Sequence, residues 1–209
     1  MGLFSSVKKD EKIVTPKDKI VAVDDRFVLK ENTVLMLKEK IISLTGDDFS
    51  IKDVNGVCYF KCKGKAITMR GKKEFYDANG KLLFSLKNKL LAVKKTIKVY
   101  EGDSDSKTLA VVKPKSALFL KNCEAEFFNK TTGKTDKFNM KCDVIGFRCH
   151  VYHGSDLICK IHKKFDGKLA FTGQNNYYVE IAPNVDIALM LAIGICYDEI
   201  RNDFNRKGQ

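Results

Sequence analysis

Two hydrophobic patterns divide this chain. Up to about residue 182 apolar residues recur at every second position in short runs, while from Ile187 to Tyr197 no position is charged and the Tyr197 hydroxyl is the one hydrogen-bonding group. Alternation of period two marks strands with one face in a core. The runs fall at 33–40, 49–53, 57–63, 73–77, 81–86, 90–94, 96–101, 108–113, 117–121, 124–129, 137–142, 147–153, 157–163 and 177–182. That is roughly a dozen strands punctuated by turns, the mark of a mainly β domain. Asn55-Gly56 and Asn79-Gly80 each sit between two alternating runs, a strong hairpin signal because both turn residues tolerate positive φ. The surrounding Asp53-Val-Asn-Gly and Asp77-Ala-Asn-Gly are 24 residues apart, so two successive hairpins share one design.

The last pattern predicts a helix over 184–201. Pro183 and Asn184 give its start, Asp186 lies in the first turn, and Arg201 lies near the negative end of the helix dipole. A helix apolar all round must be enclosed on every side. It is well short of the roughly 20 apolar residues of a membrane span. A sheet curled round it would cover every face, and closing the sheet would also remove its edges. The expected architecture is therefore a closed or nearly closed β-barrel around a buried C-terminal helix. Residues 1–25 are polar, contain Pro16 and alternate in charge, which predicts a flexible tail ahead of a domain over 26–205.

Several stretches look like the LURP-one-related family. They are Thr45-Gly-Asp-Asp-Phe-Ser-Ile-Lys-Asp-Val-Asn-Gly, Tyr76-Asp-Ala-Asn-Gly-Lys-Leu-Leu, Lys87-Asn-Lys-Leu-Leu, Val99-Tyr-Glu-Gly-Asp-Ser and Pro183-Asn-Val-Asp-Ile-Ala. They occur in order across nearly the whole domain. The resemblance implies a tubby C-terminal-like fold of twelve strands round a hydrophobic helix, related to phospholipid scramblases. It brings no established catalytic residues, and the plant members are associated with pathogen defence. One departure is Ile97, which stands where members often carry Trp; this chain has no Trp.

Charge adds a partner class. The 209 residues carry a net charge of +12, which favours anionic partners. Between Lys61 and Lys98 stand 12 basic residues against Glu74 and Asp77, so this window holds +10 of the total. Lys61, Lys63 and Lys65 alternate with Cys62 and Gly64 and would share one strand face. With Arg70, Lys72 and Lys73 they form the candidate lipid-binding set, facing an anionic phospholipid or phosphoinositide surface. The bland reading is a solvated face. An acidic protein is the rival partner, and scramblase-like lipid transport a remoter reading. Nucleic acid ranks lower because no recognition helix, helix-turn-helix or zinc finger is present.

Gly2 follows the initiator Met, and Ser6 completes a Met-Gly-x-x-x-Ser pattern for N-myristoylation, with Lys8, Lys9 and Lys12 nearby. Gly2 is thus a candidate acylation site. The seven cysteines are odd in number and never spaced Cys-x-x-Cys, and no signal peptide precedes them. They read as reduced core thiols of a cytoplasmic protein, with a peripheral place at the plasma membrane.

Catalytic signals are weak. His150 and His153 fall on opposite faces of a strand, awkward for one metal, and Cys149 beside His150 has the same problem. Asp103, Ser104, Asp105 and Ser106 read as a polar turn rather than a Ca²⁺ loop. No phosphate loop or nucleophile elbow is present. The sequence predicts no catalytic residue, no metal and no cofactor.

Overall fold

The computed structural model describes residues 11–38, 49–63, 72–88, 95–116, 120–143, 148–162 and 176–207. Twelve strands form one closed antiparallel barrel: β1 (Thr33–Lys38), β2 (Phe49–Asp53), β3 (Cys58–Lys63), β4 (Lys73–Asp77), β5 (Leu82–Asn88), β6 (Ile97–Glu101), β7 (Thr108–Pro114), β8 (Asn122–Asn129), β9 (Lys134–Asp143), β10 (Arg148–His153), β11 (Asp156–His162) and β12 (Asn176–Ile181). Each strand pairs with its sequence neighbours, and β1 closes the ring on β12 with Thr33 opposite Ile181 and Lys38 opposite Asn176. The predicted mainly β barrel is what forms. The alternating run at 90–94 lies outside the described residues, as does most of 117–121.

The two Asp-x-Asn-Gly hairpins are built alike because the Asp side chain closes each turn. Asp53 Oδ1 accepts N–H bonds from Asn55 and Val57, both at 2.9 Å. Asp77 Oδ1 accepts from Lys81 at 2.8 Å. Gly56 and Gly80 sit at φ 85° and 86°, where a side chain would be strained.

The helix α1 (Ile187–Lys207) threads the barrel. Every side chain from Ile187 to Tyr197 is buried, so the uniform apolar run is explained by a wall on all sides. Gly194 faces the β11–β12 wall, where an added Cβ would make ordinary contact with Ile161 Cδ1 at 3.6 Å and Val179 Cγ2 at 3.7 Å. α1 begins later than 184 because Asn184 has φ 65°, outside helical space. Asp186, expected in the first turn, is instead the capping residue. Its Oδ1 accepts from Ala188 N at 2.9 Å and Leu189 N at 3.2 Å. No helix among the described residues is long and apolar enough to cross a membrane.

The segment 11–32 differs from the flexible tail that polarity predicted for 1–25. It is a strap across the barrel end where α1 begins. Ile20, Val21, Ala22, Val23 and Phe27 are buried. Ile20 bridges Val185 in parallel, Val14 N donates to Leu157 O at 2.8 Å, and Lys130 N to Val21 O at 2.7 Å. The other oxygen of Asp186 holds this strap, accepting from Ala22 N at 3.2 Å, Val23 N at 2.7 Å and Asp24 N at 3.2 Å. One fully buried carboxylate thus caps the helix and anchors the strap. Burial raises the Asp186 carboxyl above its ordinary pKa, and the N–H donors from the strap and helix pull the other way.

The barrel therefore has two unlike ends. At the strap end lie the tight turns 54–57, 78–81 and 130–133. At the other, the helix-exit end, α1 emerges into solvent between Arg201 and Arg206. The strand ends Lys63, Lys73, Asn88, Pro114, Asn122, Asp143 and Arg148 point toward that end in register.

Candidate functional site

Of the six candidate lipid-binding residues, Lys61, Lys63, Lys72 and Lys73 lie among the described residues. Lys61 projects from β3, exposed, and its Nζ donates to Ala78 O at 2.7 Å. Lys63 ends β3 opposite Glu74. Lys65, Arg70 and the acylation candidate Gly2 lie outside the described residues. Lys72 and Lys73 are half-buried and ion-paired. Lys72 Nζ lies 2.8 Å from Glu74 Oε1 and also pairs with Asp103, while Lys73 pairs with Glu199 of α1.

The same holds for other cations of the window. Lys87 pairs with Asp105, and Lys95 Nζ lies 3.4 Å from Glu199 Oε2. The count along the sequence overstates the local field, because Asp103, Asp105 and Glu199 come from outside 61–98. The turn at 103–106 serves these lysines, and Ser104 Oγ donates to Ser106 Oγ at 2.9 Å.

Sequence reasoning missed a second basic feature at the helix-exit end. Where β7 ends and β8 begins, Lys115, Ser116, Lys121 and Asn122 line an open crevice of about 300 Å³. Lys115 N donates to Asn122 O at 2.9 Å and Lys121 O accepts from Cys142 N at 2.7 Å, so the backbone under both lysines is fixed. Lys115 Nζ donates to Asn139 Oδ1 at 2.7 Å. The clue in the sequence was the break after Pro114, flanked by lysines on both sides.

α1 occupies the barrel interior, with its side chains from Ile187 to Tyr197 buried. The histidines serve the wall. His153 Nε2 meets Asp136 Oδ2 at 2.8 Å and His162 Nε2 meets Glu180 Oε1 at 2.7 Å. His150 is buried beneath the strap, and desolvation, helped by Lys160, lowers its pKa to about 4, so it is neutral. Among the described residues no three His, Cys, Asp or Glu side chains gather in a way that could hold a metal ion.

Where α1 leaves the barrel, Asp198 is buried and desolvation raises its pKa to about 6 against the nearby Arg201. A carboxyl with a raised folded pKa contributes stability that is present below its unfolded value and lost as pH rises through about 6. Asp198→Asn loses one of the two bonds that Asp198 accepts from Arg201 Nη1 and Asn202 Nδ2, a cost present at every pH. Relative to the parent it should nevertheless improve between pH 4 and pH 8 by up to about 3 kcal/mol, at about 1.4 kcal/mol per pKa unit. Urea unfolding at both values checks this; an equal difference at both contradicts it.

A closed twelve-strand barrel filled by its own C-terminal helix, with the Asp-x-Asn-Gly hairpins in place, is the setting in which similarity decides the family. A sequence profile of the LURP-one-related family matches residues 33–198. The chain belongs to that family. It is 28% identical to protein LURP-one-related 15 of Arabidopsis thaliana over 195 residues, covering 90% of this chain and 89% of the relative. Protein LURP1 of the same plant is 24% identical over 185 residues, covering 86% and 89%. A crystal structure of an Arabidopsis thaliana protein superimposes with a TM-score of 0.62 at 22% identity, covering 86% of this chain and 98% of that one. That likeness speaks for the fold. The profile begins at the first residue of β1, so the strap that closes the barrel lies ahead of the matched LURP-one-related segment.

Proposed function

We propose that this LURP-one-related chain is a non-catalytic module that docks on an anionic membrane surface through its helix-exit end. The observation that carries this reading is the crevice between Lys115 and Lys121, two exposed cations on a fixed backbone with hydroxyl and amide groups between them. A phosphate-bearing head group matches that chemistry, as phosphates take cationic and neutral donors together. The filled interior supports a role carried by the outer surface. The resemblance to plant family members implies service in defence or signalling regulation.

An acyl chain on Gly2 would supply the second signal that a small basic patch needs for stable anchoring. Glu11, the first described residue, is held on the outer wall by Tyr152, whose hydroxyl donates to Glu11 Oε2 at 2.8 Å. The ten residues before it can span at most about 35 Å.

The experiment is sedimentation with phosphatidylcholine vesicles, with and without phosphatidylserine or phosphoinositide, using protein from a eukaryotic host whose intact mass reports acylation. Binding should require the anionic lipid and weaken with salt, since exposed charges are screened beyond about 8 Å at physiological ionic strength. Near such a surface each Lys is worth about 1 kcal/mol, so the double change Lys115→Glu, Lys121→Glu should weaken binding more than tenfold. Lys17→Glu with Lys134→Glu, at the strap end, should change little. Equal binding by both doubles sinks the helix-exit reading. No binding to any vesicle turns the basic surface toward an acidic protein partner.

A further inference from the structure

Three of the seven cysteines meet on the inner wall: Cys123 on β8, Cys142 on β9 and Cys149 on β10. All are buried free thiols. Cys142 and Cys149 are direct partners in the antiparallel register, with Sγ atoms 2.7 Å apart. Cys123 faces Met140 instead, two residues from Cys142 along β9, and so reaches it only on the diagonal.

Register separates these two contacts. Directly opposed residues have Cβ atoms about 4.5–5.5 Å apart, and diagonal ones stand about 7–8 Å apart. A disulfide needs Cα atoms within about 4.4–6.8 Å, so the opposed pair can close where it stands, whereas the diagonal pair requires backbone movement.

We propose that Cys142 and Cys149 are a modification site: an internal dithiol that a peroxide converts to a cross-strand disulfide. One thiol loses its proton and its sulfur attacks a peroxide oxygen, breaking the O–O bond and leaving a sulfenic acid and water. The second thiol then displaces the sulfenic oxygen as a second water. Two thiols and one hydrogen peroxide give one S–S bond and two waters, with sulfur oxidised and peroxide oxygen reduced.

Burial raises both thiols above their ordinary pKa, so thiolate is scarce and the closed barrel reacts slowly. Oxidation proceeds as β9 and β10 open transiently, and the bond formed then ties the two strands beside Tyr197 of α1. The oxidised barrel should melt several degrees higher, because the bond restricts the unfolded chain.

The test uses the full chain in native buffer with excess hydrogen peroxide, followed by alkylation and trypsin. Cleavage after Lys141, Arg148 and Lys160 puts Cys142 on peptide 142–148 and Cys149 on peptide 149–160. Cys159 shares the second peptide, so the map is repeated on Cys159→Ser. The expected product is the two peptides joined with loss of two hydrogens. It should persist in Cys123→Ser and Cys159→Ser, vanish in Cys142→Ser, and be reversed by dithiothreitol along with the gain in melting temperature. If Cys142→Ser does not fold, the parent and Cys123→Ser maps decide alone. A Cys142–Cys123 link overturns the proposal. So does the absence of any 142–149 link after exposure long enough to oxidise half-buried Cys58 fully and to exchange the amides of β9 and β10.

Discussion

Ile193→Asp is expected to unfold the domain at room temperature. Ile193 is the seventh of the 21 residues of α1 and has no exposed surface, and the buried core around the helix is almost wholly apolar. A carboxylate there loses its hydration and finds no partner. Even protonated, it leaves an unpaired polar group where an aliphatic one packed, a loss on the order of 5 kcal/mol. Natural domains are stable by about 5–15 kcal/mol, so one such change consumes much or all of the margin. Among the described residues the helix is the element that fills the barrel from inside, so its loss removes the core of the barrel rather than one edge of it. Ile193→Val, by contrast, should cost only about 1 kcal/mol. Circular dichroism melts of the two variants make the comparison. An Asp variant that melts with the parent would show that the helix is not enclosed.

Asp186→Asn should be nearly as damaging as Asp186→Ala. At an ordinary helix start Asn caps about as well as Asp, and the exchange would cost a few tenths of a kcal/mol. Asp186 has two tasks. One oxygen takes the N–H groups of Ala188 and Leu189, and the other takes those of Ala22, Val23 and Asp24. An Asn amide has one oxygen, so its NH₂ must face one of these sets of donors. The three strap donors or the two helix donors are then left buried and unsatisfied, at about 1–3 kcal/mol for each such group. Both variants are expected to lose at least about 3 kcal/mol by urea unfolding. They should also expose 11–32 to protease before the barrel itself opens. A harmless Asn would mean that the residue is a cap and nothing more.

These two residues also show what sequence alone could reveal. The all-round apolar run ending at Tyr197 demanded an enclosure, and the paired Asn-Gly turns supplied hairpins to build it, because both signals are local. Asp186 read as a favourable charge in a first turn, since its other partners lie more than 160 residues earlier. For the same reason Ile20 to Val23 passed as part of a tail: four apolar residues without alternation gain meaning only once that carboxylate holds their N–H groups. The basic window suffered from distance in the opposite sense. Glu199 and Asp103 neutralise Lys73 and Lys72 from elements that the count could not place beside them. Lys115 and Lys121 were overlooked because they flank a break between strands, and their common crevice exists only after β7 and β8 pair.

The docking claim is tested most directly by hydrogen exchange of the full chain, free and bound to anionic vesicles. If the helix-exit end meets the membrane, protection should concentrate at Ser116, Lys121 and Asn122, around Lys72 and Lys73, and on 201–207. The turns Asn55-Gly56 and Asn79-Gly80 and the strap 11–32 should exchange as in the free protein. Protection on those turns or on the strap, with the helix-exit residues unchanged, would contradict the account.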